Sequence, residues 1–149
     1  MLVPNFWKLS HGAEYFTFGD MIASINNGKV FMHKDTAALA KSPKAQATLF
    51  VESPIGDYFY LTHGNISVYL LGQFSGPANF FSEFKDGWIE RPFRLIRSAK
   101  DGCRYDDDKK WWAPNFNSTF AAVPKSEYSI FEEKILTPFF DIRLSDYGL

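Results

Sequence analysis

Gly56-Asp57-Tyr58-Phe59-Tyr60-Leu61-Thr62-His63-Gly64-Asn65-Ile66-Ser67-Val68-Tyr69-Leu70-Leu71-Gly72-Gln73-Phe74 is the stretch that decides the fold. Two runs rich in aromatic and β-branched residues flank His63-Gly64-Asn65, residue types that suit a tight reversal. They predict strands over 58–62 and 66–74, paired as a hairpin. Pro54-Ile55-Gly56-Asp57 reads as the turn that leads in. Upstream, 47–52 reads as a further strand. Downstream, 88–96 reads as another, with Pro92 placing it at an edge or a bulge.

Working outward, Phe6-Trp7-Lys8-Leu9 predicts a first strand, ended by Ser10-His11-Gly12. Over 14–25, Phe18, Met21, Ile22 and Ile25 recur at offsets of three and four, the spacing of one helix face. Asn26-Asn27-Gly28 stops that helix with residues that tolerate left-handed backbone. A second short strand follows at 29–33. Asp35-Thr36 caps a short Ala-rich turn through Lys41, which Ser42-Pro43 ends. Residues 100–117 read as polar loop. Over 126–136 a last helix is expected, with Ser126 and Ser129 as caps and Tyr128, Phe131, Ile135 and Leu136 on one face. Phe139, Phe140 and Ile142 are expected to dock back on the body. Mostly antiparallel strands with helices packed on one side predict an α+β fold, a small β-barrel flanked by helices. At 149 residues, one domain over 1–149 is the expectation.

Composition narrows the classes. Apolar residues are 46% of the chain and charged residues 22%, which excludes intrinsic disorder. Aromatic residues reach 18%, enough to build a core and to wall a pocket. A formal charge of −1 means that any nucleic-acid partner must meet a local basic patch. The single Cys103 excludes a disulfide framework and a Cys-based zinc site. The N-terminus shows no charged leader before an apolar run, and no stretch is long enough to span a membrane. A soluble cytoplasmic domain with no membrane partner is expected.

No nucleophile elbow, Walker loop or zincin motif is present. His11, His33 and His63 each end a predicted strand, and three histidines gathered at one rim are a metal set in principle. Polar strand ends are the simpler reading. Asp106-Asp107-Asp108 lacks the alternation, glycine and later glutamate of a calcium loop. The basic residues say more. Between 88 and 104, Arg91, Arg94, Arg97, Lys100 and Arg104 face only Glu90 and Asp101. Lys109-Lys110-Trp111-Trp112 then sets cations beside two rings, a pairing suited to phosphates and stacked bases. A solvated strand and rings plugging the barrel end fit the same residues equally well. Rings at Trp7, Phe31, Trp88, Trp111 and Trp112 divide between core and pocket, and position alone does not sort them.

Phe6-Trp7-Lys8-Leu9-Ser10-His11-Gly12 resembles the opening strand and turn of the EVE/YTH branch of PUA-like domains. The 56–65 run followed by Leu70-Leu71-Gly72-Gln73-Phe74 resembles that branch's strand pair. Val30-Phe31-Met32-His33-Lys34-Asp35-Thr36, Gly87-Trp88-Ile89-Glu90-Arg91, Lys110-Trp111-Trp112-Ala113-Pro114, Ser118-Thr119-Phe120 and Phe131-Glu132-Glu133-Lys134-Ile135-Leu136 extend the likeness. In that order they resemble the N-terminal specificity region of McrB-like, modification-dependent restriction proteins. The resemblance implies a PUA-like barrel that takes a modified base, flipped out of DNA, into an aromatic pocket. It implies no catalytic residue, metal or cofactor in this domain, which is expected to be monomeric alone. A nucleotide-driven AAA+ motor and a nuclease would be fused to it or partnered with it.

The pocket residues so implied are Trp7, Ser10, His11, Phe31, His33, Thr62, His63, Trp88 and Trp111. The loop after the hairpin offers Phe80, Phe81 or Trp88 as a further wall. Arg91, Arg94, Arg97, Lys100, Lys109 and Lys110 are the expected nucleic-acid backbone contacts, which set salt dependence without reading sequence. The second strand carries Phe31 where YTH domains carry tryptophan, so the base stays open between N6-methyladenine and a modified cytosine. Three other readings stand beside this one. They are an RNA reader on the same fold, a small metal-dependent hydrolase built on the three histidines, and a protein-interaction module.

Overall fold

Phe6-Trp7-Lys8-Leu9-Ser10-His11 is buried along its whole length. A strand buried at every position needs neighbours on both edges and cover on both faces. The computed structural model describes residues 4–11, 16–38, 44–64, 67–82, 84 and 86–149, and it supplies all four. The strands are β1 (Phe6–His11), β2 (Lys29–His33), β3 (Tyr58–His63), β4 (Ser67–Phe74), β5 (Trp88–Ser98) and β6 (Phe120–Ala122). They form one mixed sheet in the order β2-β5-β4-β3-β1-β6. β1 runs parallel to β3, and every other pairing is antiparallel. The hairpin of β3 and β4 is present, and Gly64 in its turn takes a φ of 62°, which favours glycine. Asn65 and Ile66 lie outside the described residues.

The sheet separates two cores. Trp7 and Leu9 of β1 and Phe59 and Leu61 of β3 point to one side, with Met21, Phe50, Phe74 and Phe120. Phe6, Tyr58 and Tyr60 point to the other, with Trp112, Phe131, Ile135, Leu136 and Phe140. α1 (Phe18–Asn26) covers the first side, and the C-terminal helix covers the second. Helices therefore flank both faces, where the sequence reading expects one. This doubled cover is the reason β1 and β3 lack the polar–apolar alternation of a half-exposed strand.

Residues 47–52, expected as a strand, are helix α2 (Gln46–Glu52). Ala47 and Phe50, one helical turn apart, enter the first core together. Gln46 does what an extended segment would not. Its Oε1 accepts from the backbone N–H of Thr119 (2.7 Å) and Phe120 (2.9 Å), and its Nε2 donates to Ala37 O (2.9 Å). β6 itself emerges from what reads as the end of a polar loop, because three residues are too few for a periodicity signal. Pro92, expected at an edge or a bulge, marks where β5 changes partner, from β2 over Trp88–Pro92 to β4 beyond it.

Thr17 caps α1 through a reciprocal pair with Asp20, at 3.0 and 3.1 Å. The start expected at Glu14 and the end of the Ala-rich turn at Lys41, Ser42 and Pro43 lie outside the described residues. The last helix is α3 (Tyr128–Phe131), entered through a 3₁₀ turn after Pro124 and not through a serine cap. It widens into a π-helical stretch over Glu132–Phe140, and Phe139, Phe140 and Ile142 are buried against the sheet. No helix among the described residues is long and apolar enough to cross a membrane.

Two buried groups generate stability predictions. A Cβ on Gly72 would lie 2.6 Å from Phe59 Cζ and 2.9 Å from Phe93 Cδ2, at the point where the β4–β5 ladder slips register. Gly72→Ala is expected to cost ~1–3 kcal/mol by overpacking, read from urea denaturation. Lys8 is fully buried, and its Nζ donates to Phe116 O (2.6 Å) and Ser118 Oγ (3.0 Å), with no ion pair to a described carboxylate. Burial pulls its pKa down to about 7. The unfolded chain therefore binds more protons than the folded one above pH 7, and stability rises with pH there. The melting temperature should climb between pH 7 and roughly 9.5, below the range in which the tyrosines ionise. In Lys8→Met the climb should flatten.

Candidate functional site

Four rings gather between the end of β1 and the strands β2 and β5. Phe16 lies 5.7 Å from Phe31, 5.0 Å from Phe84 and 5.6 Å from Trp88. Phe84 lies 5.3 Å from both Phe31 and Trp88. His33 sets its ring edge-on to Trp88 at 5.5 Å, and His11 packs against Phe16 at 4.2 Å. Of the expected pocket residues, the fold thus brings His11, Phe31, His33 and Trp88 into one group. Phe16 is its fully buried centre.

A cavity of about 590 Å³ opens beside this group, between α1, β2 and the segment leading into β5. Phe31, Phe81 and Phe84 supply its rings, and Asp20, Ser24, Asn27, Lys29, Asn79 and Glu90 its polar groups. Phe81 is 90% exposed. Glu90 is buried and pairs through Oε2 with Lys29 Nζ at 2.5 Å. A two-way backbone bridge joins Asn79 to Glu90 (2.8 and 3.0 Å), and Asn79 Oδ1 accepts from Phe81 N at 3.0 Å. These bonds fix the segment that carries the exposed ring. The cavity offers flat apolar walls with carboxylate and amide groups at the rim, a surface that fits a planar heterocycle bearing polar edges. Sequence reasoning names Phe81 as one option and omits Phe16, Phe84 and Asn79. The readable signal is a Phe80-Phe81-x-x-Phe84 run inside an otherwise polar loop.

His11 has a different task. Its Nε2 accepts from Phe31 N at 3.3 Å, which places the proton on Nδ1. Burial, then the nearby His63, lowers its pKa to about 3, so the ring is neutral. Nδ1 has no hydrogen-bond partner among the described residues. His63 Nε2 sits 2.6 Å from Phe16 O. Among the described residues no three His, Cys, Asp or Glu side chains are grouped to hold a metal ion.

Several expected site residues are committed elsewhere. Trp7 is core: its Nε1 donates to Asp57 Oδ2 at 2.9 Å and its ring stacks on Phe120 at 4.4 Å. Ser10 and Thr62 are β1–β3 register partners, one residue before His11 and His63, so they face the opposite side of the sheet. Both donate to Gly64 O, at 2.8 and 3.1 Å. Trp111 is 43% exposed and makes no ring contact with the aromatic group.

The cations divide in the same way. Arg91 is not on the surface. It is 1% exposed, with Nε donating to Gly76 O (2.9 Å), Nη1 to Phe50 O (2.8 Å) and Ser53 Oγ (2.5 Å), and its guanidinium 4.1 Å above Phe74. It ties β5 to α2 and is unavailable to a phosphate. Arg94 donates to Gln73, Arg97 to Phe140 O, and Lys110 pairs with Glu127 at 2.7 Å. Lys100 and Lys109 are exposed and form no ion pair with a described residue.

No protein-family model and no curated protein matches the chain. The solved structures similar to it include the following two. A hypothetical protein from Leishmania major aligns at 13% identity with a TM-score of 0.48, over 87% of this chain and 93% of that one. A protein from Agrobacterium tumefaciens aligns at 14% identity with a TM-score of 0.47, over 83% and 88%.

Proposed function

We propose that this domain is a non-catalytic reader of DNA, with a PUA-like fold of the EVE/YTH type, that takes a modified base into the cavity walled by Phe31, Phe81 and Phe84. The carrying observation is Phe81, a ring almost fully exposed in a cavity that Phe31 and Phe84 also line, among polar side chains. Leaving a phenylalanine in water forfeits its burial energy, and a stacked base restores it. The polar rim supplies acceptors and donors for the edge of that base, and Lys100 and Lys109 remain free for phosphates. His11 and His33 support the walls from behind, and Trp88 braces Phe84. Flipping a base out costs a few kcal/mol, which stacking and edge hydrogen bonds offset. In this reading the domain is the targeting module of a McrB-like restriction system, working with a separate motor and nuclease.

The test is fluorescence-anisotropy binding to short duplexes that are plain or carry N6-methyladenine, 5-methylcytosine or 5-hydroxymethylcytosine, each at two salt concentrations, with matched RNA alongside. One modified duplex is expected to bind tightest, less so at high salt. Phe81→Ala should weaken that complex about tenfold, the loss of one stacking wall. Trp7→Phe should leave discrimination unchanged. Equal affinity for all duplexes, or preference for the RNA, would sink the DNA-reader assignment.

A further inference from the structure

A second, larger cavity of about 740 Å³ lies between the start of β4 and the segment that follows β5. Tyr69 and Tyr105 supply rings to it, Lys100 and Arg104 supply cations, and Asn115 stands on its far wall. Neither cation forms an ion pair with a described residue, and both are exposed. Tyr105 is held in place, its hydroxyl donating to Asp108 O at 2.7 Å. Asn115 donates through Nδ2 to Asp107 O at 3.2 Å, and its Oδ1 is buried without a partner among the described residues. Asp101 and Asp106 also line the cavity, so it carries both signs.

Phe18 connects this cavity to the first. Its ring is 52% exposed and lies 6.0 Å from Tyr69. It opens α1, whose Asp20, Ser24 and Asn27 line the aromatic cavity. α1 thus reaches Tyr69 of this groove with its first residue and the aromatic cavity with residues further along. Phe18 and Ile22 are exposed on that helix.

We propose that the groove lined by Tyr69, Lys100, Arg104, Tyr105 and Asn115 holds the single strand that flanks the captured base. The argument rests on the base-reader assignment for the first cavity. Lys100 and Arg104 neutralise phosphates, and the two tyrosines stack on bases. A nucleotide matches a groove of mixed sign because it carries an anionic phosphate and a donor-bearing base. Aromatic rings beside unpaired cations are the general construction of single-strand grooves.

The test uses the full chain and fluorescein-labelled single-stranded DNA of 4 and 12 nucleotides, with and without the preferred modified base. Lys100→Ala/Arg104→Ala should weaken 12-mer binding about tenfold. It should also lower the slope of log affinity against log salt by roughly 1.4, since each phosphate contact on a single strand contributes about 0.7. The ratio of modified to plain affinity should not change. Tyr69→Ala should weaken the 12-mer about tenfold and the 4-mer far less. Unchanged 12-mer affinity and salt slope in both variants, with Phe81→Ala still weakening the modified complex about tenfold, would overturn the groove and leave the base cavity standing. Weakened binding with no discrimination in the parent protein would support the groove and remove the base reading. Failure of the parent to bind either oligonucleotide would overturn both. All three substituted residues lie on the cavity surface, and an unchanged melting temperature confirms that the variants fold.

Discussion

Closure of the curled sheet rests on side chains. β1 and β6 stand at one end of the strand order and β2 at the other, and no backbone ladder joins them. His11 reaches from β1 to the backbone N–H of Phe31 in β2, and Gln46 spans from β6 to Ala37 just beyond β2. Each occupies backbone groups that an unclosed edge would leave exposed. The aromatic group sits directly behind this seam, because Phe31 is both the hydrogen-bond donor to His11 and a wall of the cavity. The seam therefore sets the position of the site.

The same economy governs the buried polar groups. Asp57 accepts from Asn5 N, Asn5 Nδ2 and Trp7 Nε1, all within 3.1 Å. Arg91 finds three oxygens and a ring face. Lys8 finds a carbonyl and a hydroxyl, and no ion pair to a described carboxylate. A buried charge is tolerated when its hydrogen bonds are complete, and loses its proton more readily when they are not. Lys8 anchors the 111–118 segment in this way, with Tyr60 and Ser118 bonding Trp112 O and Trp111 O beside it.

Much of the fold was legible. The β3–β4 hairpin, β2 and the helix α1 follow from local residue types, and the structure keeps each of them within a few residues, although Phe18 and Ile22 of the expected apolar face are exposed and α1 buries Met21 and Ser24. The miss at α2 has a physical cause. Its Thr, Phe and Val favour extended backbone, but the long-range bonds of Gln46 and the paired burial of Ala47 and Phe50 outweigh that weak preference. β6 and the two-sided helical cover depend on contacts more than a hundred residues apart, which no window of sequence contains. For the site, a ring on a strand reads the same whether it meets core or solvent. Trp7 and Phe31 are equally buried in the same core, and only Phe31 also lines the cavity. Arg91 likewise sits in a basic run that looks solvated, yet α2 closes over it.

The register of β1 carries a consequence for how the chain is made. Trp7 pairs with Phe59 on one edge and with Ala122 on the other. β1 thus waits for more than a hundred further residues before both of its edges are satisfied. Its buried sequence, Phe6-Trp7-Lys8-Leu9, is meanwhile an open apolar edge. High sequence separation of contacts slows folding, and unpaired strands invite association in the interim. The pairing of β1 is therefore complete only after β6 has emerged.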